Sequence, residues 1–172
     1  MIRLLGAALI MGACLWFGAY FALREKYRLE ELEELERGLI YLQGQIGYLS
    51  APLSAALEGV GWRMNGRLGS ILRQAAEALS ERQGESAEEI WRRVWQEAAG
   101  KTFLTAEDEK NILAFGHSLG YLDRGQQEKS IALLLRTIEG ELSRGRERLR
   151  KNGRLYYGMG TLSGLLLVVT LL

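Results

Sequence analysis

Two uncharged apolar runs bracket a chain whose middle repeats apolar residues at helical spacing. Residues 4–23 read LLGAALIMGACLWFGAYFAL and residues 155–172 read LYYGMGTLSGLLLVVTLL. About 18–20 such residues cross a hydrocarbon core of about 30 Å. A charge held at mid-membrane costs roughly 2.5–3.5 kcal/mol on insertion scales, so long runs free of charge are informative. Both runs are therefore expected to be transmembrane helices, with 1–3 a short N-terminal end and 24–152 a domain between them. Arg24, Lys26 and Arg28 follow the first run, and Arg144, Arg146, Arg148, Arg150, Lys151 and Arg154 precede the second, whereas the outer flanks carry only Arg3. Basic residues collect on the cytoplasmic side of spans, so the central domain is expected in the cytoplasm. Tyr156 and Tyr157 stand where ring side chains favour the interface. A cleaved signal peptide is one alternative for the first run, and lipidation at Cys14, after Met11-Gly12-Ala13, is another. The apolar sequence continues nine residues past Cys14, which favours an uncleaved span.

Between the runs, Leu32, Leu35, Leu39, Leu42, Ile46 and Leu49 form a stripe spaced for helix-on-helix packing. Pro52 is expected to end this helix, and Ser50 to cap the next. Leu53, Ala56, Leu57 and Val60 make a short apolar face, followed by glycines around Trp62 and a helix over about 68–79. Ser86 followed three residues later by Glu89 is a capping box opening a helix that carries Ile90, Trp91, Val94, Trp95 and Ala98 on one face. Gly100 closes it. Thr105 and the acids after it predict a helix over 106–119, in which Gly116 and Gly120 permit close approach of a neighbour. Asp123 is expected to cap a last helix with Ile131, Leu134, Leu135, Ile138, Leu142 and Leu149 inward. There is no strand pattern and no repeat. The expectation is an all-α cytoplasmic bundle of about six helices, whose long first and last helices pack together and continue into the spans.

Charge and composition then narrow the chemistry. The net charge is +1 in 172 residues, which argues against a dedicated nucleic-acid binder. One cysteine excludes an internal disulfide and any multi-cysteine zinc site, and one histidine excludes most hydrolase triads. No phosphate-cradling glycine loop is present. Glu107, Asp108, Glu109 and Asp123 are oxygen ligands a divalent ion accepts, but helix capping explains them more simply. His117 reads as a surface or satisfied core histidine. No cofactor, metal or enzymatic activity is expected. The tryptophans Trp62, Trp91 and Trp95 suit either a thick core or an aromatic docking patch. With Glu107, Asp108, Tyr121, Asp123 and Arg124 they are the candidate partner-binding residues. The acidic run after the first span reads as a solvated face. Alternatively, Glu30, Glu33 and Glu34 pair with Arg146 and Arg150 where two antiparallel helices leave one membrane, each exposed pair contributing about 0.2–1 kcal/mol. The basic ramp before the second run also suits anionic phospholipid. A homo-oligomer held by close packing of the spans at Gly160 and Gly164 is the structural alternative.

Three stretches, taken in order and spacing, resemble the stage III sporulation protein AB family of endospore-forming bacteria. They are 39–57, LIYLQGQIGYLSAPLSAAL; 104–127, LTAEDEKNILAFGHSLGYLDRGQQ; and 152–172, NGRLYYGMGTLSGLLLVVTLL. The family usually has Thr-Pro-Leu where this chain has Ala51-Pro52-Leu53, and an acid near Gln45. The resemblance implies a non-enzymatic role in the channel between mother cell and forespore, in the mother-cell membrane around the forespore. It also implies a central domain similar to the cytoplasmic helical domains of type II secretion and type IV pilus platform proteins. The partners it implies are a cytoplasmic secretion-type ATPase and other membrane subunits of the channel, with no nucleic acid.

Overall fold

A computed structural model describes residues 2–49, 51–81, 84–119 and 123–171; side chains are described within those ranges from 22 to 151 except at 124, and before them at 12, 16 and 20. Six α-helices and no strand occur among the described residues: α1 (Ile2–Gly47), α2 (Leu53–Arg63), α3 (Gly66–Glu81), α4 (Ala87–Glu97), α5 (Ala106–Gly116) and α6 (Arg124–Leu171). The chain divides into two compact units, one of Met1–Tyr27 with Ser143–Leu172, the other Arg28–Leu142. Among the described residues no helix is long and apolar enough to cross a membrane. The spans expected at 4–23 and 155–172 fall mostly on residues whose side chains lie outside that set.

The core of Arg28–Leu142 is built from the stripes. Leu32, Leu35, Leu39, Leu42 and Ile46 of α1, and Ile131, Leu134, Ile138 and Leu142 of α6, are each at most 5% exposed. Within this unit the two helices run antiparallel: Arg28 bonds Glu141 at one end, and a Cβ on Gly47 would lie 3.3 Å from the Glu128 carboxylate at the other. The pairing of first and last helix expected from their spacing is therefore present here. Burying each large aliphatic side chain contributes about 1.5–3 kcal/mol, so these stripes supply much of the driving force.

The shorter helices complete the core. At the α2–α3 crossing a Cβ on Gly61 would meet the Gly69 carbonyl oxygen at 2.9 Å, and one on Gly69 would strike the Met64 carbonyl. Only glycine lets these two backbones approach so closely. Helix α4 starts at the expected capping box: Ser86 Oγ accepts from the Glu89 N–H, and the Glu89 carboxylate accepts from the Ser86 N–H. Its apolar face brings Trp91 within 5.7 Å of Trp95 and 5.6 Å of Phe115, ring centre to ring centre, the second pair edge-to-face. Trp91 Nε1 donates to the Ile112 carbonyl at 2.9 Å, which ties α4 to α5. A Cβ on Gly116 would fall 2.6 Å from Trp91 Cδ1, so the close approach expected at this glycine is made against the indole.

Several boundaries differ from the sequence reading. Helix α1 ends at Gly47 and turns at Tyr48 and Leu49. The turn takes Leu49 out of the stripe, and it is 67% exposed. Pro52 caps α2 through its fixed φ of −56°, with no side-chain hydrogen bond. The cap expected from Ser50 lies outside the described residues. Helix α3 spans Gly66–Glu81, longer at both ends than 68–79. Helix α5 stops at Gly116 rather than 119, because His117, Ser118 and Leu119 turn back with i→i−3 bonds. Gly120 lies outside the described residues. Asp123 caps α6 as expected, its carboxylate accepting from the Gln126 N–H at 2.9 Å.

Candidate interaction surface

Two acids of the unit Arg28–Leu142, Asp108 and Glu141, are tied to one buried arginine. Arg28 is 3% exposed, and its Nε and Nη2 donate to the Asp108 carboxylate at 2.6 and 2.8 Å. Nη2 also donates to Glu141 at 3.0 Å. Asp108 closes the capping box of α5 as well, accepting from the Thr105 N–H at 2.8 Å and hydroxyl at 2.6 Å. One guanidinium thus ties α1, α5 and α6 together. Burial alone would raise the Asp108 carboxyl, but hydrogen bonds from Arg28 and Thr105 outweigh it and hold the group below the usual carboxylate range.

The acidic run on α1 fastens turns. Glu31 accepts from the Phe103 N–H at 2.7 Å, and Glu34 accepts from the Asn65 N–H. These carboxylates hold the α4–α5 and α2–α3 connections against α1. Burial pushes the Glu31 carboxyl up, against the pull of the Phe103 N–H and nearby Arg67. The solvated-face reading fails for these two positions, because each carboxylate is the partner of a turn amide.

The structure separates the candidate partner-binding residues by depth. Trp91 and Trp95 are 3% and 5% exposed and belong to the core, whose aromatic cluster needs both. Asp108 is interior because Arg28 holds it there. The thick-core reading thus holds for Trp91 and Trp95 and the capping reading for Asp108, and as candidate partner-binding residues the three are corrected to structural ones. Trp62 is 71% exposed, and Glu107 and Asp123 are exposed as well. Tyr121 and the Arg124 side chain lie outside the described residues. Glu30 is exposed and Glu33 half-buried in the unit Arg28–Leu142, whereas Arg146 and Arg150 are exposed residues of the other unit. His117 is a surface residue, its Nδ1 2.8 Å from the Glu88 carboxylate. Among the described residues no group of three or more His, Cys, Asp or Glu is placed to hold a metal ion.

Three arginines of this unit stack on aromatic rings. The guanidinium carbon of Arg73 lies 4.7 Å from the Trp62 ring centre, that of Arg63 lies 4.0 Å from Tyr41, and that of Arg67 lies 5.6 Å from Phe103. Such stacking fixes the plane of a guanidinium and leaves its edge free to donate. Beside Arg63 a groove of about 250 Å³ opens between α1 and the α2–α3 turn, lined by Glu34, Arg37, Tyr41, Arg63 and Asn65 among others. Sequence reasoning singled out Trp62 but missed these arginines, which are scattered along the chain without a motif.

The unit Arg28–Leu142 is thus an all-helical domain with an ionic tie in its core and arginine–aromatic stacks on its surface. Comparison with known proteins gives the family. The model of the stage III sporulation protein AB family matches residues 3–172, and the chain belongs to that family. The stage III sporulation protein AB of Bacillus subtilis (strain 168) is 26% identical over 172 residues, covering all of both chains. A solved structure of a stage III sporulation protein AB superposes with a TM-score of 0.65 at 21% identity, covering 72% of this chain and 96% of that one, a likeness that establishes the fold.

Proposed function

We propose that this protein is a non-enzymatic platform subunit of the sporulation channel between mother cell and forespore. It is held in the mother-cell membrane by spans at 4–23 and 155–172, and its helical domain docks a cytoplasmic secretion-type ATPase. The observation that carries this reading is the exposed apolar line on α1 in a chain of the stage III sporulation protein AB family. Trp16, Tyr20 and Leu23 are 79%, 57% and 49% exposed and follow one another at i, i+4 and i+7. Large apolar side chains aligned outward on one helix suit lipid better than water. Support also comes from helix continuing through both apolar runs and from the basic residues on their central flanks.

The test has two parts. Reporter domains inserted between Gln96 and Lys101 should be active only in the cytoplasm, and the chain should resist carbonate extraction; a periplasm-type signal or ready extraction refutes the topology. Reciprocal co-purification from sporulating-cell membranes should recover the ATPase with this chain. Its absence, with the other channel subunits present, refutes the docking role.

A further inference from the structure

We infer that the docking surface is the arginine groove between α1 and the α2–α3 turn, together with the exposed Trp62 that precedes Arg63 in the chain, and that it takes an acidic segment of a protein partner. The inference rests on the platform reading for the identity of that partner, and on the structure for its chemistry.

The charge pattern comes first. Residues 59–76 carry Arg63, Arg67 and Arg73 and no acid, with Glu58 and Glu77 standing just outside. In a chain whose overall charge is nearly balanced, this is a local excess of positive charge. The fold compensates only part of it: Arg67 lies near the Glu31 carboxylate, but among the described residues no carboxylate lies within ion-pair distance of Arg63 or Arg73, nor of Arg37 on α1. Glu34 is the acid that lines the groove, set against two arginines, Arg37 and Arg63, and it accepts from the Asn65 N–H. Arg63 is pinned on Tyr41, so it presents a pre-oriented edge at little entropic cost. A carboxylate entering the groove therefore meets Arg63 and Arg37, with the Tyr41 ring as a wall.

Trp62 supplies the apolar half. Tryptophan and arginine are the residue types that dominate binding energy at protein interfaces. Here the indole is exposed while Arg73 backs it and donates to the Gly61 carbonyl at 2.6 Å, so it stands on a rigid base. The complementary partner segment carries glutamates or aspartates around one apolar side chain. Nucleic acid would find one stacking ring and few guanidiniums, and lipid headgroups would find a turn rather than an amphipathic helix.

The experiment uses the full chain in neutral detergent, with purified ATPase and, separately, poly-L-glutamate as probes. Wild-type chain should bind both, and binding should weaken on raising salt from about 50 mM to about 500 mM. Trp62→Ala and Arg63→Glu should each weaken ATPase binding about tenfold or more, and Arg63→Lys should lose much of it, because lysine lacks the planar fork. Glu97→Lys, in a separate groove between α3 and α4 that shares no lining residue with the arginine groove, should bind as wild type. Quenching of tryptophan emission by poly-L-glutamate should vanish in Trp62→Phe. If ATPase binds but Arg63→Glu leaves its affinity unchanged, the docking surface is elsewhere and this inference falls while the platform reading stands. If ATPase fails to bind but poly-L-glutamate still quenches Trp62, the platform reading falls and the acidic-segment site stands. Stronger Arg63-dependent binding to phosphatidylglycerol vesicles or single-stranded DNA than to either probe overturns the inference.

Discussion

Replacing Asp108 is expected to be the most damaging single change to the helical domain. Its carboxylate serves two masters: Arg28, through bonds of 2.6 and 2.8 Å, and the α5 cap, through bonds from Thr105 of 2.8 and 2.6 Å. Asp108→Ala leaves Arg28 buried beside the Glu141 carboxylate. Removing one member of a buried ion pair costs about 3–5 kcal/mol, and losing a helix cap costs about 0.5–2 kcal/mol. The two overlap, so the sum should come to about 4–6 kcal/mol, comparable with the whole stability of a small domain. A domain of this intermediate size shifts its melting temperature by about 4 °C per kcal/mol, which puts the loss at about 16–24 °C. Asp108→Asn keeps an oxygen for Thr105 but not the charge, and should cost about 3 kcal/mol. The assay is urea and thermal unfolding of the full chain in detergent, followed by helix circular dichroism. A cycle with Arg28→Met separates the terms: the double variant Arg28→Met/Asp108→Asn should lose at least about 1 kcal/mol less than the two single losses together. Acid adds an independent check. The Asp108 carboxyl is depressed in the folded chain, so its contribution is present above the unfolded carboxylate pKa near 3.9 and drains away as pH falls through the folded value. Asp108→Asn should flatten that acid limb. A loss below about 1 kcal/mol for Asp108→Ala, or strict additivity in the cycle, refutes the view that the interior ion pair ties the helices together.

Three further outcomes follow from single residues. Glu31 has a raised pKa from burial, so its contribution is full below the unfolded value and is lost as pH rises through the folded one; Glu31→Gln, which keeps the acceptor for the Phe103 N–H, should be neutral or stabilising at pH 7 and lose that advantage near pH 4, whereas Glu31→Ala should cost about 1–2 kcal/mol, all read by chemical denaturation at the two pH values. Gly116→Ala should cost about 1–3 kcal/mol, because the new methyl meets the indole of Trp91, itself held by its bond to Ile112; a red shift in tryptophan emission should accompany the loss. Ser86→Ala should cost about 1 kcal/mol by removing the α4 cap, and amide exchange should speed up at the first turn of α4 more than elsewhere.

The interior ion pair was legible in part. Arg28 stands four residues before Leu32, in phase with the α1 stripe, and Asp108 stands four before Ile112 on α5. Glu141 follows Ile138 by three on α6. Each charge therefore sits at a position where its own helix points inward. The sequence reading placed Arg28 with the basic flank of the first run and Asp108 with the caps, because each has a sufficient local explanation. Phase along the stripe was the overlooked signal. Similarly, Glu31 and Glu34 belong to a run of acids that looks uniformly solvated, and nothing local says that two of them receive turn amides. The arginine groove left no trace at all, since Arg37 comes from α1 and Arg63 from the end of α2.

What the sequence determined by itself was local and periodic: six helices, the caps at Ser86, Thr105 and Asp123, the apolar stripes, and the family. These follow from side chains acting on their own or adjacent turns, where spacing along the chain equals spacing in space. What only the tertiary structure decided was pairing across long separations. It chose Trp91 and Trp95 for the core and left Trp62 outside, joined Arg28 to Asp108 across 80 positions, and turned part of an acidic run into fastenings for distant loops. Those choices depend on which helix faces which, and a charge or an indole carries no mark of its partner until packing has brought the two together.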